Sequence, residues 1–127
     1  MSYRVVLIVI GIVFSAQSNT TFAKRGSPVM QRLMKNKLEQ LHKLQTAMVM
    51  EDYKEIDRRA SLLIDIAKDA TWQSLRTPDY QRYSRIFQDA SLDLKARSKE
   101  KKLDRVMMPF LRLNMACLEC HSYVRNK

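Results

Sequence analysis

The chain is 127 residues long and carries 23 Lys and Arg against 13 Asp and Glu, a formal net charge of +10. That length holds one small domain and excludes two, and so large a basic excess points to a nucleic acid, a membrane surface or an acidic protein as partner. Only two glycines and three prolines punctuate a sequence rich in Leu, Lys, Arg, Glu, Met and Ala, which favours helix over strand throughout.

Met1-Ser2-Tyr3-Arg4 precedes an apolar run from Val5 to Phe14, followed by small and polar residues up to Thr21-Phe22-Ala23. This is the pattern of a secretory signal peptide: a short basic start, an apolar stretch too short to span a bilayer, and a small-x-small cleavage site. Residues 1–23 are therefore expected to be a signal peptide and 24–127 the mature domain. No later segment is apolar enough to cross a membrane, so the mature protein is expected to be soluble in the periplasm. Export argues against a nucleic acid and leaves the basic surface to steer an acidic redox partner.

Four helices follow. Ser27-Pro28 has the chemistry of a helix start, a hydroxyl for the free amides of the first turn and Pro where no helical bond is lost. The first helix is predicted to run to about Met50, with Met30, Leu33, Met34, Leu38, Leu41, Leu44 and Met48 on one stripe. Asp52 and Glu55 have capping-box spacing and open the second helix, whose core stripe of Ile56, Ala60, Leu63, Ala67 and Ala70 fades near Trp72. Thr77-Pro78-Asp79 marks a turn into the third helix, predicted over about 78–98 with Tyr80, Tyr83, Phe87, Ala90 and Leu94 inward. The fourth is expected from Ser98 or Lys99 through Leu103, Val106, Met107, Phe110, Leu113 and Cys117, kinked or broken at Pro109, which cannot bond the carbonyl of Arg105. Met48, Met107 and Met115 read as core methionines. Four amphipathic helices joined by short turns predict an all-α, antiparallel up-down-up-down four-helix bundle.

Cys117-Leu118-Glu119-Cys120-His121 carries the chemistry. This Cys-x-x-Cys-His pattern is the attachment signature of a c-type haem. Two thiols three residues apart on a helix reach the two vinyl groups on one edge of the macrocycle, and the adjacent imidazole then lies beneath the iron. A thioredoxin-like pair expects a βαβ setting that is missing here. Zinc needs four ligands, and beyond these three only His42 offers another. A disulfide between adjacent turns of one helix closes too small a loop to stabilise much.

The second axial position decides between a Met thioether, suited to electron transfer, and an open site for a diatomic gas. In an antiparallel bundle the start of the first helix is level with the end of the fourth, which leaves Met34, Met30 or an open site as candidates. His42 lies two turns further along, toward the edge of the stripe, and reads as a surface residue.

The ending of the chain resembles that of the cytochrome c-prime superfamily, including its low-spin Met-ligated relatives. The similarity rests on Cys117-x-x-Cys120-His121 near the C-terminus, with Arg125 four residues after the His. It implies a covalently bound haem c, His121 on the iron and Arg125 near the haem. Met34-Lys35 with Leu38 and Leu41 matches the first-helix pattern of Met-ligated members better than Met30-Gln31, so the resemblance implies Met34 as the second axial ligand. It also implies a bundle of this kind, often paired as a homodimer through helix faces. The chain departs from the family in its shortness, in lacking glycines after the first-helix motif, in Pro109, and in having Val124 where an aromatic residue usually precedes the Arg, with Tyr123 one position early.

The expected function is that of a periplasmic one-electron carrier, not an enzyme. Asp65, Asp69 and Asp93 read as exposed-face carboxylates rather than an acid/base pair. The alternative is a five-coordinate protein that binds NO or CO.

Overall fold

The computed structural model describes residues 27–69, 72 and 76–126. The expected signal peptide of residues 1–23, along with Ala70, Gln73 and Ser74 of the expected second-helix end, lies outside the described residues. Four α-helices make up the fold, α1 (Pro28–Val49), α2 (Tyr53–Lys68), α3 (Pro78–Ser98) and α4 (Leu103–Arg125), with no strand among the described residues. Within those residues, no helix is long and apolar enough to cross a membrane.

The three polar starts act as the sequence suggests. Ser27 Oγ accepts from the amide of Met30 at 3.2 Å, an Asp52 carboxylate oxygen from the amide of Glu55 at 3.0 Å, and Thr77 Oγ1 from the amide of Tyr80 at 3.3 Å. Each occupies one of the amides that a helix leaves unpaired in its first turn. Glu55 does not complete a capping box, because its carboxylate is taken up by Arg58 and Arg59.

Two boundaries differ from expectation. α2 stops at Lys68 instead of approaching Trp72, and α4 opens at Leu103 rather than Ser98. Ser98 belongs to the last turn of α3, its hydroxyl donating to the carbonyl of Lys95. The chain then turns through Lys101, whose φ of 52° is left-handed, as is the 51° of Glu51 in the α1–α2 turn. α4 continues through Pro109 unbroken, which settles the choice against a break; the Pro ring is buried.

Packing runs in chain order, α1 on α2, α2 on α3 and α3 on α4, with the remaining contacts between helices slight. The core consists of Leu44, Ala47 and Met48 from α1, Ile56, Ala60, Leu63 and Ala67 from α2, Phe87, Ala90 and Leu94 from α3, and Val106, Leu113 and Ala116 from α4. Burying a side chain such as Leu63 or Leu113 contributes roughly 1.5–3 kcal/mol, which makes this layer the main source of stability. Polar ties supplement it: Arg59 donates to Gln40 Oε1 at 2.6 Å between α2 and α1, and Arg112 lies 3.9 Å from Asp93 between α4 and α3.

The apolar stripes are wider than the core can cover. Leu38 is 52% exposed, Met107 47% and Met115 52%, so neither of these methionines is a core residue; Met48 is. In α1 two polar residues, Lys37 and Gln40, take buried positions on the stripe in their place.

Candidate functional site

α4 positions three donors by helical geometry alone. At about 100° per residue, Cys120 and His121 lie roughly 60° and 40° to either side of Cys117, so two thiols and an imidazole share one face over a single turn. Cys117 and Cys120 are free and half-buried, and Cys117 packs against the core. Burial pushes both thiols above their ordinary range, and the cation of Lys37 works against that rise. His121 is exposed at the helix surface, and partial desolvation first, then the positive charges of Lys37 and Arg125, holds it below its usual range.

The last turns of α4 are pinned to the start of α3. Tyr123 Oη lies 3.2 Å from Thr77 Oγ1, and its ring is 5.5 Å from that of Tyr83. Tyr123 thus anchors the site-bearing helix end. Arg125 donates from Nε to the carbonyl oxygen of His121 at 3.3 Å, so it meets the backbone of the candidate ligand rather than its ring.

On α1, Met34 is half-buried and packed on the same core as Cys117, whereas Met30 is half-buried outside that cluster. Gln40 marks the side of α1 that bonds α2, and Met34 lies about 120° round from it; His121 lies about 180° round α4 from Arg112, which pairs with α3.

An aromatic wall closes the space behind. Trp72 and Phe87 are almost wholly buried with ring centroids 5.3 Å apart, and Tyr80 lies 6.3 Å from Trp72. The Trp72 indole donates to Ser84 Oγ at 3.0 Å and Tyr80 Oη donates to the Trp72 carbonyl at 2.9 Å, which fixes the ring. Burial, and then the Cys120 thiol, pushes Tyr80 up to about 12. Lys37 reaches into this wall, its Nζ 3.8 Å from the Trp72 ring centroid and 3.5 Å from that of Phe87. Desolvation brings its amine down to about 8, opposed by the two thiols.

α4 thus sets Cys117, Cys120 and the exposed His121 along one face, with Arg125 at the backbone of His121, and Met34 packs against the same core as Cys117. The structure leaves His42 apart, in a shallow groove with Gln45, Thr46, Val49 and Met50. Among the described residues no three His, Cys, Asp or Glu side chains converge as a metal cluster, which gives the zinc reading no support. Asp65 and Asp69 are exposed, and Asp93 pairs with Arg97 at 3.0 Å. Lys37, Trp72 and Tyr80 are the site residues that the sequence did not announce. The stripe period does place Lys37 seven residues before Leu44, at a core position, although its charge suggests solvent.

Comparison with family models, with curated proteins and with solved structures finds no match.

Proposed function

We propose that this chain is an exported c-type cytochrome, an antiparallel up-down-up-down bundle with one haem c bound through Cys117 and Cys120 and its iron held by His121 and Met34. The observation that carries the reading is the row of two half-buried thiols and an imidazole along one face of α4, with Cys117 and the Met34 thioether of α1 packed against the same core. Those donors fit the group: thiols for thioether bonds, and imidazole and thioether for low-spin iron. The Trp72–Phe87 wall supplies apolar contact for a flat macrocycle. The antiparallel arrangement is supported by contacts of the start of α3 with the end of α4, and by the coupling of Tyr53 with Asp104, both at helix starts.

When bound, the haem supplies reversible one-electron chemistry. The chain's own residues orient and shield it. Tyr123 holds the ligand-bearing helix end in place, Arg125 adds positive charge beside His121, and the aromatic wall keeps water from one side. The formal charge of +10 suits an acidic electron-transfer partner. No helix among the described residues offers a membrane span, which agrees with transient docking.

The test is to mature the full chain in a host that ligates haem to Cys-x-x-Cys-His sequences. The expected product has the polypeptide mass plus one haem, a sharp low-spin α band when reduced, no response to carbon monoxide, and a ferric sulfur-to-iron charge-transfer band that Met34→Ala abolishes. Colourless protein of bare polypeptide mass refutes the haem. A high-spin spectrum that shifts with carbon monoxide refutes the carrier and establishes gas binding.

A further inference from the structure

The outer face of α4 is apolar, and the reading above gives it no role. At about 100° per residue, Met107, Met108, Met115 and Leu118 all fall within about 60° of Leu111, and Leu103 extends the strip at its start. The core residues of the same helix, Val106, Leu113 and Ala116, lie about 140° or more round from Leu111. The six strip residues are 36–63% exposed, along about 22 Å of helix. Between Met107 and Leu118 no charged residue falls within that arc. A helix apolar on both sides is suited to being covered on both, and a continuous exposed patch of this kind marks a contact surface.

The border of the strip is basic. Lys99, Lys101 and Lys102 lead into α4 and are exposed, and none of the ion pairs among the described residues includes them. Arg105 and Arg112 flank one side, about 120° and 100° round from Leu111, and Arg125 returns to the arc beyond Leu118. Two carboxylates interrupt this border: Asp104 in the first turn, an electrostatic neighbour of Arg105, and Glu119 about 80° round. From residue 97 to residue 112, six basic side chains stand against two acidic ones.

We propose that this face docks the protein on an anionic lipid bilayer, with α4 lying in the plane of the interface. The strip sits among the upper acyl chains and the cations meet the lipid phosphates. Helices with an apolar face and a basic border bind in this way, their apolar side about 5–10 Å deep. Long Lys and Arg stems let the charges stay at headgroup level while the strip goes deeper. Charge selects the occupant. A second copy, from a chain of net charge +10, would bring the same cations against this border, whereas anionic headgroups supply the opposite sign. Cys117 and Cys120 lie about 120° and 180° round from Leu111, so the inference is independent of the haem reading.

The experiment measures binding of the full-length protein to vesicles by co-sedimentation, comparing phosphatidylcholine alone with an equal mixture of phosphatidylcholine and phosphatidylglycerol. Wild type is compared with a triple variant, Met107→Gln, Leu111→Gln and Met115→Gln, and with a double variant, Lys101→Glu and Lys102→Glu. All five positions are exposed, and circular dichroism checks that each protein is helical. Wild type is expected to bind the mixed vesicles roughly tenfold or more tightly than the neutral ones, and each variant to lose roughly tenfold or more of that affinity. Equal affinity for the two vesicles, or full binding by either variant, overturns the proposal. So does a lipid-free wild-type dimer that the triple variant converts to monomer in sedimentation velocity, which assigns the strip to a second copy instead.

Discussion

Replacing Lys37 with Met should stabilise the protein, and the size of the effect follows from where the ammonium sits. Burial brings the amine from 10.5 to about 8, and at about 1.36 kcal/mol per unit this disfavours the charged form by roughly 3 kcal/mol. Attraction to the Trp72 and Phe87 rings returns about 1–2 kcal/mol of that, leaving a net cost on the order of 1–2 kcal/mol at pH 7. Met has a similar length, a similar helix propensity and no charge, and its sulfur suits an aromatic wall. For a domain of this size the expected rise in Tm is about 5–15 °C. The pH dependence provides a second check. Because the folded-state pKa is depressed, the unfolded chain binds more protons between about pH 8 and 10.5, so this group's contribution makes wild-type stability rise with pH across that window. Met lacks the transition, and the Tm gap between the two proteins should narrow as pH approaches 10.5. Thermal unfolding followed by circular dichroism at pH 7, 9 and 10.5 measures both quantities. A Met variant less stable than wild type at pH 7, or a gap that stays constant with pH, would refute the placement of Lys37.

Thr77→Ala removes the cap of α3 together with the contact to Tyr123. The loss should be about 1–2 kcal/mol by urea titration, above that of Ser27→Ala, which removes a cap alone. Lys101→Gly relieves a left-handed residue in the α3–α4 turn, and should raise stability by up to about 1 kcal/mol, the conformational gain being partly offset by the freedom glycine has when unfolded. Hydrogen bonds from Arg58 and then Arg59 hold the Glu55 carboxyl at about 2. Its contribution is fully present above pH 4.5 and disappears as pH falls toward 2, so the urea midpoint of wild type should drop more steeply over that range than that of Glu55→Gln.

Much of the architecture can be read from residue chemistry. Ser27, Asp52 and Thr77 each bring an oxygen to a position where amides lack partners, and each helix begins there. The start of α4 escaped that logic because Ser98, which has the right side chain for a cap, turns its hydroxyl back to Lys95, while the actual cap residue, Lys102, makes no side-chain cap bond. The turn depends on left-handed Lys101, a conformation that glycine normally announces. Periodicity located the stripes but could not rank their members. Leu38 and Met107 fit the period and are exposed, whereas Lys37 and Gln40 fit it and are buried, since the decision rests with whichever helix lies opposite. In the site, the spacing of Cys117, Cys120 and His121 fixes their common face before any tertiary contact forms. The wall around them is a tertiary product: Trp72 comes from the α2–α3 connection and Lys37 from α1, and no local pattern links the two.

Trp72 is the sole tryptophan of the chain, and its buried indole is held against α3 by Ser84, Tyr80 and Phe87. It therefore serves as a built-in fluorophore at the site itself. Emission from so dry a setting is blue, reddening on unfolding, and a macrocycle seated beside it would extinguish it by energy transfer, so one optical channel follows both folding and cofactor loading without an added label.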